Sequence, residues 1–178
     1  MAEDPLIDVD RQARFNELFD RHYAAVRAYV ARRSGSGGVD DVVSETFLVA
    51  WRRIDAVPED GLPWLLGVAR RILANQRRGE ARRGALIQLL ASMLPRGPGP
   101  EPPGGVFGEL PDALAALSAR EREALLLVAW EGLDPQRAAR VVGCAPAAFR
   151  ARLYRARRRL AAQLRAVPAE VRLTEETR

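Results

Sequence analysis

The residues LDPQRAARVVGCAPAAFRARLYRARRRL, numbers 133–160, decide the fold of the C-terminal part of this chain. Asp134-Pro135 predicts a helix start, because aspartate is a preferred N-cap and proline is favoured at the first helical position. Gly143 ends that short helix, and Pro146 opens a second one. The second helix has one apolar stripe at spacings of three and four residues, formed by Phe149, Leu153, Ala156, Leu160 and Leu164. The stretch therefore predicts a helix-turn-helix.

The second helix of this pair is strongly basic. Residues 135–169 contain nine arginines and no Asp or Glu. Opposite the apolar stripe and on its flanks lie small residues, one tyrosine and arginines: Ala147, Ala148, Arg150, Ala151, Tyr154, Arg155 and Arg158. Small residues allow a helix to enter the major groove of DNA, and arginines reach phosphates and base edges. The alternatives are a solvated arginine-rich face and a helix-turn-helix that binds protein.

The charge of the chain is unevenly distributed. All 28 basic residues of the 178 are arginine. Residues 1–60 contain 8 arginines and 12 acids, whereas the rest of the chain contains 20 arginines and 11 acids. An acidic first third followed by a basic remainder suggests two kinds of partner, one of them a polyanion.

Several classes of protein are disfavoured by composition. The one cysteine, Cys144, excludes an internal disulfide and a cysteine-cluster zinc site, and a packed thiol is expected there. The one histidine, His22, has no metal-ligand companions and is expected at or near the surface. No metal site or cofactor is predicted. The acidic N-terminus does not resemble a signal peptide, and no apolar run is long enough to span a membrane. We therefore expect a cytoplasmic protein without membrane insertion.

Apolar periodicity predicts three helices before residue 84, over 15–30, 40–54 and from 63 to 78 or beyond. A short helix is expected over 85–94, and no strand pattern is present. Ten of the fourteen residues 95–108 are Pro or Gly, which predicts an extended tether. After the tether, Ser118 and Glu121 form a predicted capping box at the start of a helix that should end at Gly132. The predicted fold is all-α, with two small helical domains joined by a flexible Pro/Gly-rich linker.

Three motifs in this order resemble one family. DVVSETFLVAWR (41–52) resembles the core-binding segment of extracytoplasmic-function sigma factors of bacterial RNA polymerase, and PWLLGVARR (63–71) is similar to their promoter-melting segment. LSARERE (117–123) and RARLYRAR (150–157) look like the family's fourth conserved region. The resemblance implies a disordered leader (1–10), sigma region 2 (11–84), a linker (85–109), sigma region 4 (110–167) and a tail (168–178).

The resemblance also implies partners and site residues. Core RNA polymerase would be bound through the clamp helices of its largest subunit and the flap of its second-largest subunit, and an anti-sigma factor is a plausible further partner. Polymerase docking would use Asp40, Asp41, Ser44, Glu45 and Leu48. An acidic helix needs a basic partner, which DNA cannot be.

Promoter DNA would be contacted at two elements. The −10 element and its non-template strand would be held by the loop 55–62 and the third helix, through Asp55, Pro58, Gly61, Leu62, Trp64, Arg70, Arg71, Asn75, Arg77 and Arg78. The −35 duplex would be contacted by Arg137, Ala147, Ala148, Arg150, Ala151, Arg152, Tyr154, Arg155 and Arg158. Trp64 could equally be a core residue, Asp41 and Glu45 could serve only as helix-dipole partners, and Trp51 and Trp130 are expected in the core.

The sequence disfavours two other functions. A stand-alone helix-turn-helix repressor or activator usually needs a dimer interface or a ligand domain, and the sequence suggests neither. It would also leave the acidic second helix unexplained. No catalytic carboxylate pair, nucleophile with a histidine base or glycine-rich phosphate loop is recognisable, so a non-catalytic protein is expected.

Overall fold

The computed structural model of the chain describes residues 5–34, 38–92 and 109–166. These ranges contain seven α-helices, one short 3-10 helix and no strand. The helices are α1 (Pro5–Ala31), α2 (Val39–Arg52), α3 (Gly61–Ser92), α4 (Glu109–Ala115), α5 (Ala119–Ala129), α6 (Pro135–Val142) and α7 (Pro146–Ala166), with the 3-10 helix at Ile54–Ala56. The chain divides into two compact units, as predicted, and the all-α prediction is confirmed.

The N-terminal unit is built from α1, α2 and α3, each packed against the other two. Its core is aliphatic where the helices cross, with Val30, Val42 and Leu65 fully buried. Aromatic rings extend this core along α1 and α2. The ring centroids of Phe19 and Phe47 lie 4.7 Å apart, and other contacts within this cluster join Phe15, Tyr23 and Trp51. Trp51 is half-buried in this cluster, in keeping with the predicted core position.

Several predicted boundaries of this unit differ from the structure. α2 ends at Arg52 instead of Ile54, and α3 begins at Gly61, so Gly61 and Leu62 of the predicted loop 55–62 belong to α3. α1 begins at Pro5, so the predicted leader 1–10 is helical from that residue onward. Proline is compatible with the first position of a helix, because the backbone N–H that it lacks would have no intrahelical acceptor there. α3 continues to Ser92, so the predicted separate helix over 85–94 is continuous with α3 as far as Ser92. Residues 93–108, which include the predicted tether, and the tail 168–178 lie outside the described residues.

In the C-terminal unit, α7 packs against both α4 and α5. In the chain, α6 lies between α5 and α7. The predicted capping box is confirmed: the Glu121 backbone N–H donates to Ser118 Oγ, and the Ser118 backbone N–H donates to Glu121 Oε2. Arg122 of α5 joins α5 to α4, because its guanidinium donates to the Leu114 and Ala115 carbonyls at the end of α4. It also donates to the Leu117 carbonyl in the connection between the two helices.

The helix-turn-helix is confirmed in its local geometry. Asp134 Oδ1 accepts from the backbone N–H groups of Gln136 and Arg137, at 2.8 and 2.9 Å. Gly143 has a φ of 71°, and the N–H of Cys144 closes the turn on the Ala139 carbonyl at 3.1 Å. Along α7 the predicted apolar stripe is buried at Phe149, Leu153 and Ala156 and half-buried at Leu160 and Leu164.

The prediction that Trp130 lies in the core is wrong. α5 ends at Ala129, three residues before the predicted end at Gly132, and Trp130 is its C-cap. The side chain leaves the buried stripe where the helix stops, and the residue is 54% exposed.

Candidate protein- and nucleic-acid-binding surfaces

One face of α2 is acidic and exposed. Asp40, Asp41, Ser44, Glu45 and Leu48 are all exposed, and four of them recur at helical spacing from residue 41 to 48. The opposite face is buried against α1 and α3 at Val42, Val43, Thr46, Phe47 and Ala50. The buried polar group on that side, the hydroxyl of Thr46, donates to the Val42 carbonyl at 2.7 Å. The structure thus brings the five predicted polymerase-docking residues together on one surface, called here the α2 face.

Asp40 differs from the other members of the α2 face. Its carboxylate lies 3.8 Å from the Arg27 guanidinium of α1, although both side chains are largely exposed. An exposed pair at this distance contributes little to stability. The Arg27 cation nevertheless offsets part of the negative charge of Asp40. We therefore regard Asp41 and Glu45 as the residues that contribute most of the negative charge of this face.

The loop 55–62 is tied to α1 at two points. Arg14 Nη2 donates to the Val57 carbonyl at 2.7 Å, and Arg11 Nη1 lies 3.8 Å from Asp55 Oδ2. Asp55 and Pro58 are exposed and Leu62 is half-buried. Gly61, in contrast, is buried, and a Cβ there would lie 2.5 Å from Leu18 Cδ1. Gly61 therefore serves close packing rather than direct contact.

The predicted strand-binding residues of α3 fall on two sides of the helix. At about 100° per residue, Trp64, Arg71, Asn75 and Arg78 share one side, while Arg70 and Arg77 lie roughly 120° away. Arg78 donates to Asn75 on the first side. On the second side, Arg77 Nη2 donates to the Arg33 carbonyl at the C-terminal end of α1, at 2.8 Å. Trp64 is half-buried, which allows one edge of the ring to remain accessible.

The exposed side of α7 carries most of the residues predicted to contact duplex DNA. Ala147, Ala148, Arg150, Ala151, Tyr154, Arg155 and Arg158 are exposed, whereas Arg152 of α7 and Arg137 of α6 are half-buried. The Arg158 guanidinium lies 5.9 Å from the centroid of the Tyr154 ring, within the range of a cation–π contact. The seven exposed residues Ala147, Ala148, Arg150, Ala151, Tyr154, Arg155 and Arg158 are called here the α7 face.

Glu121 connects α5 to the helix that carries this face. Arg159 Nη1 of α7 donates to both carboxylate oxygens of Glu121, at 2.8 and 2.9 Å. Ser118 Oγ lies 2.6 Å from Glu121 Oε2. The hydrogen bond from Ser118 lowers the pKa of Glu121 below its ordinary value, and the Arg159 cation acts in the same direction. The lowered pKa favours the ionised carboxylate, which joins α5 to α7 through Arg159.

Sequence reasoning missed the residues that position these surfaces. Arg14, Arg122 and Arg159 each bond to a partner on another helix or a connecting segment. Pairing of this kind gives no periodic signal, because the partners belong to different elements. Within the described ranges, no helix is both long enough and apolar enough to cross a membrane.

Comparison with known proteins identifies both units. Residues 18–83 match the family described as Sigma-70 region 2, and residues 107–160 match Sigma-70, region 4. The ECF RNA polymerase sigma factor SigL of Mycobacterium tuberculosis is 30% identical over 149 residues, which cover 80% of this chain and 84% of SigL.

Two solved structures are also similar. The sigma factor RpoE, in complex with the anti-sigma factor NepR from Bartonella quintana, matches with a TM-score of 0.60 and 26% identity, over 86% of this chain and 98% of that chain. CnrH, in complex with the cytosolic domain of CnrY, matches with a TM-score of 0.56 and 27% identity, over 86% and 89%.

The chain therefore belongs to the extracytoplasmic-function sigma factors of bacterial RNA polymerase. It is an RNA polymerase sigma factor that acts in transcription initiation, and a stand-alone repressor or activator is not favoured.

Proposed function

We propose that the two charged faces bind different partners during promoter selection. The α2 face would dock onto the clamp helices of the largest polymerase subunit. The loop 55–62 and α3 would hold the opened −10 element, and the α7 face would contact the −35 duplex. The observation that carries this proposal is the opposite charge of two exposed helix faces, one acidic on α2 and one cationic on α7.

Docking through α2 is supported by charge and by exposure. Asp41 and Glu45 project from a helix whose other face is buried, so the acids are presented on a fixed surface. Complementary charge favours encounter with a basic partner and rejects a like-charged one such as DNA. Leu48 is 47% exposed on the same face and would give the partner an apolar contact beside the acidic residues.

Opening of the −10 element is supported by the cations of α3. Single-stranded DNA is held by cations along the backbone and by surfaces on which an unstacked base can rest. Arg71 and Arg78 are exposed and would offer the first, and the half-buried Trp64 would offer the second. Enzymes that modify a base first flip it out of the base stack. In the proposed capture, the loop 55–62 would bind a base that has been flipped out in the same way, and no reaction would follow. We propose no catalytic site in this chain.

Contact with the −35 element is supported by the composition of the α7 face. Ala147 and Ala151 leave room for close approach, while Arg155 and Arg158 are exposed beside them. An anti-sigma factor is proposed as a regulatory partner, because the similar RpoE structure is a complex with one. Contact with the polymerase flap is proposed on the family resemblance alone.

The docking proposal is tested with Asp41→Arg. Purified full-length protein is mixed with bacterial core polymerase and analysed by gel filtration, and run-off transcription is measured on fragmented host DNA. We expect Asp41→Arg to weaken core binding roughly tenfold or more, since like charges in an interface cost several kcal/mol. Asp20→Arg, an exposed acid of α1 outside the α2 face, is the control. Unchanged core binding by Asp41→Arg would show that the α2 face is not the docking surface.

The −35 proposal is tested with Arg155→Ala in the assembled holoenzyme. A lost base contact costs about 1–3 kcal/mol, so −35 duplex affinity should fall roughly fivefold to 150-fold. Arg157→Ala is the matched control, because Arg157 is exposed on the same helix but lies outside the α7 face. Equal losses in the two variants would mean that only general positive charge on α7 matters.

A further inference from the structure

The N-terminal unit has a half-open cleft between α1 and the segment 54–59. Its volume is about 460 Å³, and its walls include Arg14, Arg21 and His22 of α1 and Val57 and Pro58 of the loop. Volumes of roughly 300–1,000 Å³ are typical of sites that enclose small ligands. The cleft therefore has room for a single unstacked nucleotide.

The lining of the cleft suits such a ligand. Leu18 is half-buried and Pro58 is exposed, and these two lining residues give an apolar surface for the face of a base. The charged residues of the lining are Arg14, Arg21, Glu17 and Glu59. The two arginines are the groups that would meet the sugar-phosphate backbone of an entering nucleotide. Arg21 is paired with Glu17 on the next turn of the same helix, and both side chains remain mostly exposed. A phosphate could therefore replace that carboxylate without exposing a buried charge.

Arg14 fixes the distance between the two walls. Its guanidinium donates to the Val57 carbonyl across 43 residues of sequence. At the other end of the loop, the missing side chain of Gly61 allows Leu18 to pack against the start of α3. The loop is thus held on α1 as well as on the helices that flank it in sequence.

We infer that α1 forms the second wall of a nucleotide-binding cleft, in which Arg14 positions the loop 55–62 and Arg21 and His22 contact the captured nucleotide of the non-template strand. This inference rests on the proposed function, because it assigns the ligand of the −10 loop. It adds residues of α1, from which the sequence predicted no contact with DNA.

The test is a set of double-mutant cycles on assembled holoenzyme. The probe is a fork DNA whose −10 non-template strand comes from a promoter mapped by run-off transcription. Each nucleotide of that strand is replaced in turn by an abasic site, and binding is measured for the wild-type protein and for Arg21→Ala. Each cycle compares the loss of affinity caused by the abasic site with the loss caused by Arg21→Ala. If Arg21 contacts one nucleotide, these two losses are non-additive by roughly threefold or more at that position and additive at the other positions.

The control is Arg27→Ala. Arg27 is an exposed arginine of α1 about 220° round the helix from Arg14, outside the cleft lining. It should be additive at every position. Arg14→Ala should speed amide hydrogen exchange in residues 55–60 of the free protein and give coupling at the same nucleotide as Arg21→Ala. Arg14→Lys should partly restore the slow hydrogen exchange of residues 55–60 and the wild-type binding of the nucleotide, since lysine can also donate to the Val57 carbonyl.

The outcomes separate the two proposals. If the wild-type holoenzyme selects promoters but Arg21→Ala is additive at every position, α1 does not touch the nucleotide and this inference fails while the proposed function stands. If the wild-type protein does not bind core polymerase, both are overturned. Coupling at one position that Arg27→Ala lacks supports the cleft.

Discussion

Replacing Ser118 with alanine removes the N-cap of α5 and tests how the C-terminal unit holds its DNA-binding helix. In the native protein the Ser118 side chain accepts the backbone N–H of Glu121 and lies 2.6 Å from the Glu121 carboxylate. The same carboxylate receives Arg159 from α7. The substitution therefore weakens both the start of α5 and the group that joins α5 to α7.

The expected magnitude follows from the lost cap. Replacing a serine N-cap with alanine costs about 1 kcal/mol, within a range of roughly 0.5–2 kcal/mol. The Ser118 backbone N–H and Arg159 remain as partners of Glu121, so the carboxylate is not left unsatisfied. We therefore expect a loss near the middle of that range. A change of 1 kcal/mol corresponds to roughly a fivefold change in an opening equilibrium.

The measurement is amide hydrogen exchange of the full-length protein, followed in peptides that cover Ala119–Ala129. Exchange of amides that require opening of the C-terminal unit should become roughly fivefold faster in Ser118→Ala. Ser44→Ala makes the same chemical change on an exposed position of the N-terminal unit and should leave α5 unchanged. Acceleration below about 1.5-fold in α5 would refute the reasoning, because it would mean that the capping box does not stabilise this unit.

Two further predictions concern the same unit. The pKa of Glu121 lies below its ordinary value of 4.5, so the stability due to its carboxylate is present in full above pH 4.5 and is lost as the pH falls through the folded-state pKa. When the free energy of unfolding is measured against pH, the wild-type protein should show this loss and Glu121→Gln should show a smaller one. Gly143→Ala should destabilise the helix-turn-helix by about 1–2 kcal/mol, measured by urea unfolding, because φ is positive at this residue. The added Cβ would meet no neighbour, so the backbone angle is the expected cause. Gly143→Asn should cost less, and equal costs would point to a cause other than the backbone angle.

Predictions from sequence succeeded where one helix carries its own signal. The apolar stripe of α7, the cap at Asp134 and the box at Ser118 were each predicted from residues within a few positions of one another. The family resemblance implied the five docking residues, and the structure places them on one exposed side of α2. Their role in docking stays a prediction. Prediction failed at helix ends, where α1 starts early, α3 runs on to Ser92 and Trp130 is exposed instead of buried.

The sequence by itself determined the class of fold, the order of the two helical units and the opposite charges of α2 and α7. These follow from local periodicity, caps and composition, which act over one or two helical turns. Only the tertiary structure decided that Arg14 holds the loop 55–62, that Arg159 meets Glu121 and that Arg77 faces the end of α1. Each of these contacts joins residues from 38 to 44 positions apart, and pairing over such distances depends on how helices pack rather than on any pattern within them.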